Sequence, residues 1–64
     1  MKVRAVLARL RADGWEVVRV TGSHRQLRHP SKRGTVTLSG YLNDDMQAGT
    51  LRSVWRQADL EPEQ

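Results

Sequence analysis

Sixty-four residues, 38% of them hydrophobic, with two Trp, one Tyr and no Phe, allow one small domain over residues 1–64 and exclude a multidomain enzyme around a large buried pocket. The absence of cysteine excludes a disulfide framework and a Cys-based zinc site. Eleven Lys and Arg against seven Asp and Glu leave a formal charge of +4, which biases so small a domain toward polyanionic partners.

The charge is also segregated. From Val17 to Asn43 there is no acidic residue, whereas Arg19, Arg25, Arg28, Lys32 and Arg33 fall in that stretch with both histidines, His24 and His29. The acids collect elsewhere, with Asp44 and Asp45 in a later segment and Glu61 and Glu63 in the tail. The longest apolar run, Ala5 to Ala8, is too short for a signal h-region or a membrane span, so a cytoplasmic protein with no membrane partner is expected.

Val3, Val6, Leu7 and Leu10 recur at helical spacing and predict an amphipathic helix over residues 2–12, stopped by Asp13-Gly14. Trp15 to Val20 is rich in β-branched and aromatic residues and predicts a first strand, closed by a tight turn at Thr21-Gly22-Ser23. A second strand runs from His24 to His29 and ends at Pro30, and Pro30 to Gly34 forms a loop. Thr35 to Ser39 alternates cleanly and predicts a third strand. Residues 40–48 lack periodicity and form a loop expected to tuck Leu42 and Met46 against the core. A last helix, with Thr50 as its N-cap, carries Leu51, Val54, Trp55 and Ala58 on one stripe and stops near Leu60, ahead of Pro62. The fold class is therefore α+β, an α-β-β-β-α order with a three-stranded antiparallel sheet and two helices on one face.

One sheet face is left open. If Leu27 points to the core, the period of two places His24, Gln26 and Arg28 on that open face, joined by Thr35, Thr37 and Ser39 from the third strand. A polar, cationic surface with a histidine beside a glycine turn suits a phosphodiester backbone better than a small apolar substrate. Aromatic stacking is secondary, because Trp15 and Trp55 read as core anchors and only Tyr41 remains free.

The order of these elements, with Leu10-Arg11-Ala12-Asp13-Gly14-Trp15, Arg19, Gly22-Ser23-His24, His29-Pro30, Gly49-Thr50-Leu51 and Arg56-Gln57-Ala58, resembles the HicA toxins of bacterial type II toxin–antitoxin systems. The resemblance covers nearly the whole chain. It implies a double-stranded-RNA-binding-domain-like fold, mRNA interferase activity without metal or small-molecule cofactor, and neutralisation by a HicB-like antitoxin. Three positions depart from the family pattern: Ser39 stands where it often has proline, Tyr41 where it has histidine, and Asp59 where the last helix often ends in glycine.

The resemblance implies that His24 is the catalytic residue. Imidazole chemistry agrees, since cleavage of RNA without metal needs a base for the 2′-OH and an acid for the leaving 5′-oxygen, and an imidazole with a pKa of ~6.5 serves either role. His29 is a poor second group, because an offset of five in a strand puts it on the other face about 16 Å away. Beside Pro30 it reads as a structural residue of the loop. Tyr41, Lys32 or a water remain open as the second group. Arg25, Arg28, Lys32 and Arg33 are the expected phosphate contacts, with Ser23 and Gln26 beside them, although alternation leans Arg25 to the other face. After Gly22, Ser23 is expected to cap the turn rather than attack anything. No metal site is expected from two histidines without suitable acids nearby. The alternatives are a non-catalytic RNA-binding module of the same fold, which needs the cationic face but not His24, and a domain whose basic surface meets an acidic protein.

Overall fold

Val3, Val6, Leu7 and Leu10 lie on one side of helix α1 (Val3–Asp13) and are all buried. In the computed structural model, which describes residues 1–61, three strands follow: β1 (Glu16–Thr21), β2 (His24–Arg28) and β3 (Val36–Leu38). Helix α2 (Ala48–Gln57) completes the order. Pro62 and Glu63, to which the sequence assigned a helix stop and tail charge, lie outside the described residues.

The strands form one antiparallel sheet in the order β1-β2-β3. Leu27, Val36 and Leu38 occupy one face of it and meet the α1 stripe, Trp15, and Val54, Trp55 and Ala58 of the α2 region in a single apolar layer. Trp15 and Trp55 are among the largest fully buried side chains, as anchors of a thin core should be. Met46 packs against that layer, but Leu42 does not: it is 39% exposed. The carbonyl of Leu42 is used instead, accepting the N–H of Arg4, while that of Asp44 accepts the N–H of Val3. Helix α1 has no side-chain cap, and these two carbonyls of the 41–45 loop satisfy its first donors.

Both helices end in the same way. At α1, Gly14 takes φ +110° while its N–H donates to Arg11 O and that of Trp15 donates to Leu10 O, a Schellman closure. A Cβ on Gly14 would also lie 2.8 Å from the His29 ring, so glycine is required there twice over. At α2 the left-handed position is filled by Asp59 at φ +52°, with the N–H of Asp59 donating to Arg56 O and that of Leu60 to Trp55 O. Aspartate tolerates this region better than most side chains, which lets it stand in for glycine.

The start of α2 differs from the sequence expectation. Thr50 is not its N-cap; the helix begins at Ala48 behind an extended Gln47 whose carbonyl accepts the Leu51 N–H. Nothing between Gln47 and Leu51 stops the helix, so packing of Leu51, Val54 and Trp55 sets its course and the helical backbone begins two residues upstream of Thr50.

Candidate active site

The β1–β2 turn is a two-residue hairpin loop, Gly22-Ser23, between the paired residues Thr21 and His24. Gly22 at φ +59° supplies the positive dihedral that such a turn needs at its first position. His24 is thereby fixed as the first residue of β2. Across the sheet, Arg25 pairs with Leu38, Gln26 with Thr37 and Leu27 with Val36, and one step further along that register His24 faces Ser39. The Ser39 Oγ lies 3.0 Å from His24 Nδ1.

Backbone bonds on the far side of this pair hold it in place. The N–H of Gly40 donates to the Ser23 carbonyl at 3.2 Å, extending the ladder past the end of β3. The carbonyl of Gly40 in turn accepts Arg25 Nη1 at 3.1 Å. Gly40 itself has φ +108°, and a Cβ there would lie 3.2 Å from Val3. The turn after β3 is therefore pinned by Ser23 of the hairpin loop and Arg25 of β2, and His24 and Ser39 sit between that pin and the regular ladder.

Residues directly opposite in an antiparallel pair share a face. The open face accordingly carries Thr21, His24 and Ser39 in one row and Arg19, Gln26 and Thr37 in the next, with Arg28 opposite Glu16 beyond. Arg19 reaches this face through an irregularity. Strict alternation from Val17, which pairs with the core residue Leu27, would send Arg19 inward; a β-bulge leaves Val18 unpaired and shifts the phase by one residue. Arg19 belongs to the acid-free cationic stretch, but nothing in the sequence signals that its side chain stands beside Gln26.

Of the residues expected to contact phosphate, Arg28, Gln26 and Arg33 are exposed, and among the described residues their side chains have no hydrogen-bond partner. Arg25 is half-buried and engaged with Gly40 on the side of Leu27 and Leu38. Ser23 is half-buried and contributes its carbonyl; its hydroxyl makes no cap among the described residues. Lys32 is directed to the helix ends, where its ammonium donates to Asp13 Oδ2 at 2.7 Å and to the carbonyls of Ala58 and Asp59 at 3.1 and 3.0 Å. Its three donors are all taken. Tyr41 is 69% exposed, and its backbone N–H is held by the Asp44 carboxylate.

His29 lies in the same cluster as Lys32. Its side chain is only 9% exposed and its ring meets Trp15 edge-on with centroids 5.3 Å apart. Nδ1 accepts the backbone N–H groups of Ser31 and Lys32 at 3.0 and 3.1 Å, so Nε2 carries the proton and donates to Asp13 O at 2.7 Å. Neither nitrogen is left for chemistry. The hydrogen bond from Lys32, aided by the charge of its ammonium, holds the Asp13 carboxyl below its ordinary pKa despite some desolvation.

A surface hollow of about 490 Å³ lies at the end of α1 and the start of β1, lined by Arg11, Gly14, Trp15, Glu16 and Val17. It does not include His24 or Ser39. Among the described residues no group of three or more His, Asp or Glu side chains is placed to hold a metal ion, and no helix is long and apolar enough to cross a membrane.

The α-β-β-β-α fold with its two helices backing a three-stranded sheet is the fold of a solved relative. That structure, a HicA3 and HicB3 toxin-antitoxin complex, matches this chain at 30% sequence identity with a TM-score of 0.80, covering 98% of this chain and 100% of the matched one. The sequence matches the family described as the HicA toxin of bacterial toxin-antitoxin systems over residues 3–60, and the protein belongs to that family. A search of curated proteins gave no match.

Proposed function

We propose that this HicA-family toxin is a metal-independent endoribonuclease that cleaves mRNA, with His24 as the proton-transfer group of an open sheet face. The observation that carries this reading is the pairing of an exposed imidazole, anchored at Nδ1 by Ser39 and unpartnered at Nε2 among the described residues, with cations on the same face. In the reaction the 2′-oxygen attacks the adjacent phosphorus as the bond to the 5′-oxygen breaks. The 2′-OH proton leaves to a base and the 5′-oxygen gains one, which yields a 2′,3′-cyclic phosphate and a 5′-hydroxyl end. His24 Nε2 can perform one of these transfers.

Arg19 and Arg28 flank Gln26 and His24 on that surface and are placed to position the phosphates and to stabilise negative charge as the pentavalent centre forms. Arg33 adds charge from the β2–β3 loop. Arg25 and Lys32 act on the fold that holds the site, Arg25 through the bond from Nη1 to the Gly40 carbonyl and Lys32 through an ammonium whose donors go to Asp13 and two backbone carbonyls. An mRNA substrate places the toxin in the cytoplasm. The solved relative is a complex with HicB3, and a HicB-type antitoxin that covers the open basic face is the partner this reading implies.

The test is cleavage of RNA by purified protein in EDTA, wild type against His24→Ala, after circular dichroism has shown both to be folded. Cleavage by the wild type with cyclic-phosphate and 5′-hydroxyl ends, and none by His24→Ala, is the expected result. Salt-sensitive RNA binding without cleavage by either protein would replace it with the non-catalytic binding module.

A further inference from the structure

We infer that Ser39 is a positioning residue for His24: its hydroxyl accepts the Nδ1–H of the imidazole and so keeps the catalytic lone pair, or the catalytic proton, on the outward-facing Nε2. This deepens the reading above and rests on it for its functional meaning, but its physical core concerns the protein alone.

A neutral imidazole carries one proton on two nitrogens, and the hydrogen bond made by one nitrogen decides what the other can do. Here Nδ1 has Ser39 Oγ at 3.0 Å, and Nε2 has no partner among the described residues. A serine hydroxyl can donate or accept. If it donated to Nδ1, the neutral ring would carry its proton on Nε2 and could not act as a base toward RNA; protonation would then force the hydroxyl to turn. If it accepts, the neutral ring offers an Nε2 lone pair. The ring then keeps the same Nδ1–H to Oγ bond once Nε2 gains a proton. Only the accepting arrangement serves both states of one proton-transfer cycle without rearrangement, whichever of the two transfers His24 performs.

The placement is built into the sheet. Ser39 is brought opposite His24 by the β2–β3 register, and the next residue is pinned on both backbone groups, by the Ser23 carbonyl and by the Arg25 guanidinium. Its neighbour at 40 is a glycine at φ +108°, so the chain turns away directly after presenting the hydroxyl. Arg25 thus supports the same geometry from the opposite face of the sheet. A hydroxyl, unlike a carboxylate, brings no charge, so what it sets is the orientation and the tautomer of the ring.

The test reads the tautomer directly. In free histidine the Nε2–H form predominates, so long-range ¹H–¹⁵N NMR of the imidazoles at about pH 8.5, above the usual histidine range, distinguishes the two arrangements. The expected wild-type spectrum has a pyrrole-type Nδ1 and a pyridine-type Nε2 for His24. Ser39→Ala should move His24 toward the Nε2–H form and lower kcat for RNA cleavage by about 2–10-fold, the loss of one ordinary hydrogen bond, with KM little changed. Ser39→Thr should restore both. A wild-type His24 protonated on Nε2, or a Ser39→Ala protein with an unchanged tautomer, whether or not its cleavage falls, would overturn the proposal. Because the tautomer is measured without RNA, a protein that cleaves nothing yet shows the expected spectra would overturn the nuclease reading and leave the Ser39–His24 geometry standing.

Discussion

His24 and His29 bracket the same strand and carry the same side chain, yet their surroundings assign them opposite work. His29 is wedged between Trp15 and the 30–32 loop, with Nδ1 accepting two backbone N–H groups and Nε2 donating to the end of α1. His24 lies exposed on the far face with one nitrogen tied to Ser39 and the other turned outward. The difference teaches that hydrogen-bond saturation separates a structural histidine from a chemically available one more sharply than residue type or position in a motif. It also divides the basic residues: Lys32 belongs with His29 as a fastener of helix ends, whereas Arg19 and Arg28 belong with His24 on the open face.

The comparison can be broken by stability measurements. His29→Ala strands the N–H groups of Ser31 and Lys32 and removes the ring against Trp15. It should cost about 1–3 kcal/mol in urea unfolding, against no more than about 0.5 kcal/mol for His24→Ala. Equal losses for the two variants would erase the distinction.

A smaller effect, diagnostic by its pH dependence, is expected for Lys32→Met. The Asp13 carboxyl is held low in the folded state chiefly by its hydrogen bond from Lys32. Its folded pKa lies below its unfolded value, so the stabilisation is complete above the usual carboxylate pKa of ~3.9 and is lost as pH falls through the lower folded value. Thermal melts should show the full gap between wild type and Lys32→Met from about pH 5 to 7 and a narrowing gap below about pH 4. Part of the gap should persist in acid, because the carbonyls of Ala58 and Asp59 do not titrate. A gap independent of pH would mean that only those carbonyls matter. Smallest of all, Asp59→Gly relieves a left-handed backbone and should raise stability by less than about 1 kcal/mol without touching RNA cleavage.

The sequence made some of these features legible and hid others for identifiable reasons. The α1 stripe, its stop at Gly14 and the alternation of β3 are local patterns, and each appears where its periodicity or turn chemistry put it. The structural part of His29 was readable from its neighbour Pro30. Arg19 was not placeable, because a single bulge residue reverses which face a strand residue occupies and Val18 bears no mark of being that residue. Lys32 misled for another reason: its partners lie 19, 26 and 27 residues away, at helix ends whose meeting depends on tertiary packing. Thr50 had the chemistry of a cap, but core packing by Leu51, Val54 and Trp55 set the helix start at Ala48.

The most direct measurement is RNA cleavage in EDTA by His24→Ala and His29→Ala side by side, at a temperature where melting curves show both folded, with rates expressed per folded molecule. His29→Ala should cleave within a few-fold of wild type, while His24→Ala should fall by at least about 100-fold, the loss of a general acid–base group. Retained cleavage by His24→Ala, or an equal collapse in both variants, would contradict the assignment of chemistry to the open face.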